Sequence, residues 1–314
     1  MARKIIIDTD PGIDDAMALF YALDSPELDV VGLTTIFGNA STETCTLNAL
    51  RLLEIAGRTD IPVAVGCDRP LAMPFQGGAA FVHGADGQGN VHLPLPQIKP
   101  ISRHAAQFII DTVMKAPGEV TLVAFAPLTN LAMALLLQPE IAHYIQEIVL
   151  MGGNAFVPGN ATPTAEANIW NDPEAADIVF GADCPITMMG LDVTEKIYAS
   201  SDVLDRIRTF DNPKAQHIAR ILEYYRMFYR ERVGLNGIYI HDSTTITYLL
   251  APALFKFVNY PVRVETVGYG RGKTWPALGR SENETAWQGR REIRIGIEVD
   301  AEKAIQLELE RLAR

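Results

Sequence analysis

An α/β fold, with a mainly parallel central sheet flanked by helices and a helical flap over its site, is predicted by three features of this sequence. Between Lys4 and about residue 190, short β-branched runs that are apolar at nearly every position alternate with stretches of helical periodicity. Strands apolar on both faces belong to parallel sheets covered on both sides, and parallel neighbours need crossovers of the kind those helices supply. After residue 200 the pattern turns helical, and it includes one long amphipathic stretch. Together these give an open, Rossmann-like core with a helical addition. No Pro-, Gly- or Ser-rich linker divides residues 1–314, which read as a single domain.

The elements follow in order. Lys4–Ile7 is a strand that stops at Asp8, and Ile13–Leu23 has helical spacing at Met17, Phe20 and Tyr21. Asp29–Phe37 is the second strand, Ser41–Ile55 a helix ending at Gly57, and Pro62–Val65 the third strand. Further strands fit Val120–Phe125, Glu147–Met151 and Pro185–Met189, with helices over Ser102–Lys115, Leu128–Leu137 and Pro173–Phe180. Pro173 suits a first helical turn, where its missing N–H is harmless. The flap is assigned to Ser200–Arg232, with Asn212-Pro213 opening a long helix that ends before Gly234. A short helix then follows His241-Asp242, Val262–Val267 and Ile293–Val299 read as strands, and Asp300 caps a last helix. The Gly- and Pro-rich stretch Gly77–Pro100 is long for a compact domain and reads as a binding loop or lid.

Composition limits the partners. With 27 Lys plus Arg against 38 Asp plus Glu, the formal charge is −11, which argues against nucleic acid or an anionic membrane. No run of about 18 apolar residues predicts a transmembrane helix. The apolar run Ile5–Ile7 is too short for a secretory core, so a cytoplasmic location is expected. Three cysteines, Cys45, Cys67 and Cys184, have no CxxC spacing and read as buried thiols rather than disulfides or zinc ligands. The sequons at Asn39, Asn160 and Asn283 would matter only in a secreted chain.

The strongest local feature is Asp8-Thr9-Asp10-Pro11-Gly12-Ile13-Asp14-Asp15, four carboxylates in eight residues at the end of a buried strand. Ligands of open α/β sheets bind beyond the carboxyl ends of the strands. Such crowding suits a hard cation, Ca²⁺ or Mg²⁺, bound by oxygen alone. The competing reading is that some of these acids cap the following helix, and Asp8 itself reads as structural. An EF-hand fails, because the twelfth position counted from Asp8 is Leu19 rather than Glu. A Mg²⁺-dependent aspartyl phosphotransferase or phosphatase, with Asp8 or Asp10 as nucleophile, remains open on these residues alone. So does a calcium-dependent sugar-binding protein without catalytic activity.

A second constellation, Asn160, Glu166 and Asn168, follows the strand that ends at Met151. Amides and carboxylates supply both donors and acceptors for a polyol, although a polar surface loop would look the same. The third is His241-Asp242, an imidazole beside a carboxylate that could act as a general acid.

DTDPGIDDA at Asp8–Ala16, Asn39 after the second strand, LTN at Leu128–Asn130, LMGGN at Leu150–Asn154, GNAT…EAN from Gly159 and HDS at His241 together resemble the inosine-uridine nucleoside hydrolase family. The resemblance spans essentially the whole chain. It implies calcium-dependent hydrolysis of the N-glycosidic bond of ribonucleosides, giving ribose and a free base. It implies Ca²⁺ held by Asp10, Asp15, Asp242 and the backbone carbonyl of Phe125, with Asp14 as the base that deprotonates a metal-bound water. It places Asn39, Asn160, Glu166, Asn168 and Met151 on the ribose. His241 is implied as the acid for the departing base, with His83, Tyr225 and Tyr229 facing that base. Val233 departs from the Arg or Tyr common in the family, and Ala167 replaces a bulkier aromatic. A homo-oligomer, dimer or tetramer, is also implied.

Overall fold

The computed structural model describes residues 2–279 and 285–314; the sequon at Asn283 lies outside them. The chain begins β1 (Arg3–Thr9), α1 (Ile13–Leu23), β2 (Leu28–Thr35), α2 (Thr42–Ile55), β3 (Val63–Val65), α3 (Ala80–His83). It continues α4 (Ala105–Lys115), β4 (Val120–Ala124), α5 (Thr129–Leu137), β5 (Ile145–Met151), α6 (Ala167–Asn171), α7 (Pro173–Phe180), β6 (Ile186–Met189) and α8 (Leu191–Thr194). The flap region contains β7 (Tyr198–Ser200), α9 (Ser201–Asp205), α10 (Pro213–Phe228) and β8 (Gly237–Tyr239). The C-terminal part is α11 (Ser243–Leu250), β9 (Phe255–Tyr260), β10 (Val262–Val264), β11 (Thr274–Pro276), β12 (Ile293–Val299) and α12 (Ala301–Leu312).

Eight strands form one sheet in the order β3-β2-β1-β4-β5-β6-β12-β9, parallel except for the last pair. Alternation along β1 shows why both faces are covered. Ile5 and Ile7 join the core beneath α1, α2 and α10, whereas Ile6 joins the core beneath α4, α5 and α7. All three are fully buried, each contributing about 1.5–3 kcal/mol of transfer free energy. Local signals set the helix starts: Ser41 Oγ accepts from Thr44 N, and the Asn212 side chain accepts from Ala215 N ahead of Pro213.

Three stretches differ from the sequence expectation. Phe255–Tyr260, unassigned in the sequence, is the antiparallel edge strand on β12. The expected strand Val262–Val267 is only three residues long and pairs with β11 in a separate ribbon, outside the central sheet. In the flap, β7 pairs antiparallel with β8 before the helices begin, and α10 continues as a π turn over Tyr229–Val233 up to Gly234. Three-residue strands are too short to show periodicity, and Phe255–Tyr260 is fixed as a strand by its distant partner β12. Cys45 and Cys184 are buried as expected, but Cys67 is only half-buried; all three are free thiols.

Parallel strands end at one edge of the sheet. The turns after β1, β2, β4 and β5 therefore converge, and α10 and the segment after β8 close over them.

Candidate active site

The turn after β1 brings its acids to that edge in different roles. Asp8, fully buried within the sheet, accepts from Thr34 Oγ1 at 2.6 Å and Asn130 Nδ2 at 2.8 Å, and burial pushes its carboxyl up to about 7. These contacts fit the structural role expected of it, and its Oδ2 has no hydrogen-bond partner. Asp15 accepts from Thr9 Oγ1 at 2.6 Å, Gly12 N at 2.9 Å and Asn39 Nδ2 at 3.0 Å. The capping reading therefore holds for Asp15, but it does not account for its neighbours. Asp10 Oδ2 takes the Asn39 amide at 2.6 Å, a contact allowed by Gly38, whose Cβ would fall 1.9 Å from that oxygen. Gly12 is required for a similar reason, since a Cβ there would meet Asn39 Nδ2 and His83 Nδ1, each at 2.7 Å.

Among the described residues, Asp14, Asp15 and Asp242 each bring a carboxylate oxygen within 4.8 Å of the other two. Burial first, and then repulsion by the neighbouring carboxylates, raises Asp10, Asp15 and Asp242, with Asp15 reaching about 7. Asp10 Oδ1 and Asp14 Oδ1 are buried without a hydrogen-bond partner. Buried acids this close, with orphaned oxygens and no lysine or arginine among their partners, fit a hard divalent cation bound by oxygen. Asp10, expected among the ligands, is outside the closest threesome but next to it, and offers its orphaned Oδ1.

Above the acids lies a cavity of about 470 Å³. It is lined by Asp14, Asn39, His83, Phe125, Met151, Asn160, Glu166, Asn168, Tyr225, Tyr229, His241 and Asp242, so the structure brings together every expected site residue except the deeper Asp10 and Asp15. A wider groove of about 910 Å³ beside α2 and α5 contains none of them.

One wall is built by the loop after β5. Glu166 caps α6, accepting from Asn168 N at 2.9 Å, Ile169 N at 3.1 Å and Gly153 N at 2.9 Å, yet burial still raises its carboxyl. Asn168 Nδ2 donates to the Met151 carbonyl at 3.1 Å, and Asn160 Oδ1 accepts from Ala167 N at 3.0 Å. The opposite wall is aromatic. Tyr225 Oη donates to Asp14 Oδ2 at 3.1 Å, and Tyr229 Oη lies 3.1 Å from His241 Nε2, whose other nitrogen is 2.9 Å from Thr194 Oγ1. Tyr229, four positions before Val233, is thus the side chain that partners His241 Nε2. His83 Nδ1 accepts from Ile13 N at 3.2 Å, which leaves Nε2 to carry the proton of the neutral ring. Burial lowers both histidines, partly offset by Asp14.

Sequence reasoning missed Phe81, Trp170, Asn171, Glu195, Phe228 and Tyr239, which also line the cavity. It also missed Gln88 and Asn48, whose side-chain amides hold the Pro11 carbonyl at 3.3 and 3.2 Å, with Gln88 also on Gly12 O at 2.7 Å. Trp170 and Asn171 adjoin the EAN segment, the only local signal among these.

The profile of the family described as inosine-uridine preferring nucleoside hydrolase matches residues 5–306. The chain belongs to that family. This nucleoside hydrolase is 44% identical over 313 residues to an Arabidopsis thaliana protein named probable uridine nucleosidase 2, covering 99% of this chain and 97% of the relative. Its fold matches a plant nucleoside hydrolase at TM-score 0.96 and 41% identity, over 100% of this chain and 99% of the other. It also matches a purine-preferring ribonucleoside hydrolase from Gardnerella vaginalis at TM-score 0.92 and 31% identity, over 99% and 98% of the two chains. Membership and the aspartate cluster establish an N-glycosyl hydrolase of ribonucleosides that uses calcium, and the phosphotransferase and non-enzymatic readings fall. No helix among the described residues is long and apolar enough to cross a membrane.

Proposed function

We propose that Asp14 is the general base of this nucleoside hydrolase. The observation that carries this is its position: it belongs to the carboxylate cluster, lines the cavity, and has one oxygen held by Tyr225. We assign Asp10, Asp15, Asp242 and the Phe125 carbonyl to calcium. When bound, the ion supplies positive charge that offsets the buried carboxylates and acidifies water. Asp14 takes a proton from the attacking water as its oxygen bonds to the anomeric carbon and the C–N bond breaks.

Asn39, Asn160, Glu166 and Asn168 hold the ribose, with Met151 against the sugar. Backbone hydrogen bonds already fix the side chains of Asn160, Glu166 and Asn168, and Asp15 fixes that of Asn39, so little reorganisation is needed as positive charge develops on the ring. On the opposite wall, His241 with Tyr229 supplies the proton that the departing base needs, and the Nε2–H of His83 is the second donor within reach of the base. Tyr225, stacked on His83 at 5.6 Å between ring centroids, forms the aromatic side of the base subsite. The name of the Arabidopsis thaliana relative supports uridine among the substrates.

Residues 1–314 act as one domain, supported by the eight-stranded central sheet, which runs from β1 to β12, and by the span of the family match. A homo-oligomer is supported by the exposed Phe156, Val267, Tyr269 and Trp275, and a cytoplasmic location by the three free thiols. The test of function is a time course of free base and reducing sugar from uridine, cytidine, inosine and adenosine, with and without a calcium chelator. Release that stops on chelation and resumes with added calcium is expected. No release from any nucleoside would overturn the reading.

A further inference from the structure

The loop after β5 is gripped on both of its polar faces by residues that touch neither cavity nor metal site. On the amide face, Asp192 accepts from Ala155 N and Phe156 N, both at 2.7 Å. On the carbonyl face, Lys273 Nζ donates to Asn154 O at 2.5 Å and to Ala155 O and Val157 O, both at 3.3 Å. An ammonium has three donors, and three carbonyls converge on it. Lys273 makes no ion pair within 4 Å among the described residues, and burial lowers its pKa, with only Asp192 opposing. A half-buried lysine spent on three carbonyls and the face of Trp275, 5.7 Å from that ring's centroid, is costly unless the geometry it fixes matters.

That geometry leads to the sugar wall. Asn154 N donates to Thr274 Oγ1 at 2.9 Å, so adjacent residues Lys273 and Thr274 hold the two successive peptide groups of Asn154. Asn154 Nδ2 then bridges Val157 O at 2.9 Å and Thr164 O at 3.0 Å, tying the clamped segment to the approach to Glu166. The ribbon is itself anchored, since Arg263 and Val264 N both bind Asp177 at 2.9 Å.

We propose that Lys273 is a positioning residue for the ribose subsite: its ammonium, opposed by Asp192, fixes the loop that presents Asn160 and Glu166 to the sugar. This rests on the assignment of Asn160 and Glu166 to ribose. Arginine cannot replace it, because a planar fork does not direct three donors at three converging carbonyls.

The test is steady-state kinetics and D-ribose calorimetry on the calcium-loaded enzyme. Lys273→Ala should raise KM for uridine about 10-fold or more with little change in kcat, since the loss falls on binding shared by ground and transition states. Ethylammonium should bring KM back toward the wild-type value, and tetraethylammonium, which lacks donors, should not. Lys273→Arg should keep the raised KM and a native circular dichroism spectrum, so the test survives if the alanine variant fails to fold. A wild-type KM in either variant, or a raised KM in Lys273→Ala that ethylammonium does not lower, would overturn the proposal. Ribose affinity separates the two levels. A wild-type protein that binds ribose without cleaving nucleosides defeats the catalytic reading alone, whereas unchanged ribose affinity in Lys273→Ala defeats the positioning role.

Discussion

The Tyr225 hydroxyl donates to Asp14 Oδ2 at 3.1 Å, joining the last turn of α10 to the first turn of α1 across 211 positions of sequence. Among the described residues it is the only hydrogen-bond donor to that carboxylate, whose other oxygen accepts no hydrogen bond and lies 3.8 Å from His83 Nδ1. Tyr225 therefore orients the proposed base, as well as packing the helix. A hydrogen bond to a charged group contributes about 1.5–3 kcal/mol, so Tyr225→Phe should lower kcat about 10- to 100-fold. Initial rates on uridine check this, and an unchanged kcat would reduce Tyr225 to packing.

Asp14→Asn keeps the shape and removes the proton acceptor. Loss of a general base costs about 10²–10⁴ in rate, and kcat should fall in that range while nucleoside still binds. Equilibrium dialysis with labelled nucleoside reads binding separately from turnover. Loss of both together, with an altered circular dichroism spectrum, would make Asp14 a structural acid.

Leaving-group protonation should separate substrates by chemistry. His241→Ala should slow inosine and uridine about 100-fold, yet slow a nitrophenyl riboside far less, since that leaving group departs without a proton. His83→Ala measured alongside shows which imidazole serves the base. Equal slowing of nucleoside and aryl riboside by His241→Ala would exclude His241 as the acid.

His217 gives a pH dependence of stability. It is buried on α10 with Nε2 2.9 Å from Gln88 Oε1 and Nδ1 without a partner, and burial, then Arg220, lowers it from 6.5 to about 4. Below 6.5 the unfolded chain takes up a proton that the folded ring refuses, so stability present above about pH 6.5 is lost as pH falls toward 4. The loss is on the order of 3 kcal/mol at its limit. Urea midpoints at pH 7 and pH 4.5 should diverge in the wild type and converge by about that amount in His217→Leu. Equal acid sensitivity in both would show that the ring is protonated in the fold.

Much of this was written locally. β1 and the helix it feeds follow from Ile5–Ile7 and the spacing of Met17, Phe20 and Tyr21, because burial on two faces or one is a matter of nearest neighbours. The acid cluster was visible because three of its members, Asp10, Asp14 and Asp15, lie in one turn, and the sugar wall because Asn160, Glu166 and Asn168 share one loop. What the sequence by itself determined, then, is the set of chemical groups and the strand ends that carry them.

Tertiary structure decided which of those groups work together. The approach of Asp242 to Asp14 and Asp15 is fixed by the packing of α11, which Asp242 opens, against α1. The pairing of Tyr229 with His241, and of Phe255–Tyr260 with β12, is likewise tertiary. Lys273, on a three-residue ribbon strand's flank, had no local signature at all, because its partners are backbone carbonyls, which every sequence contains. A side chain that binds backbone is identified only when the fold says which backbone it reaches.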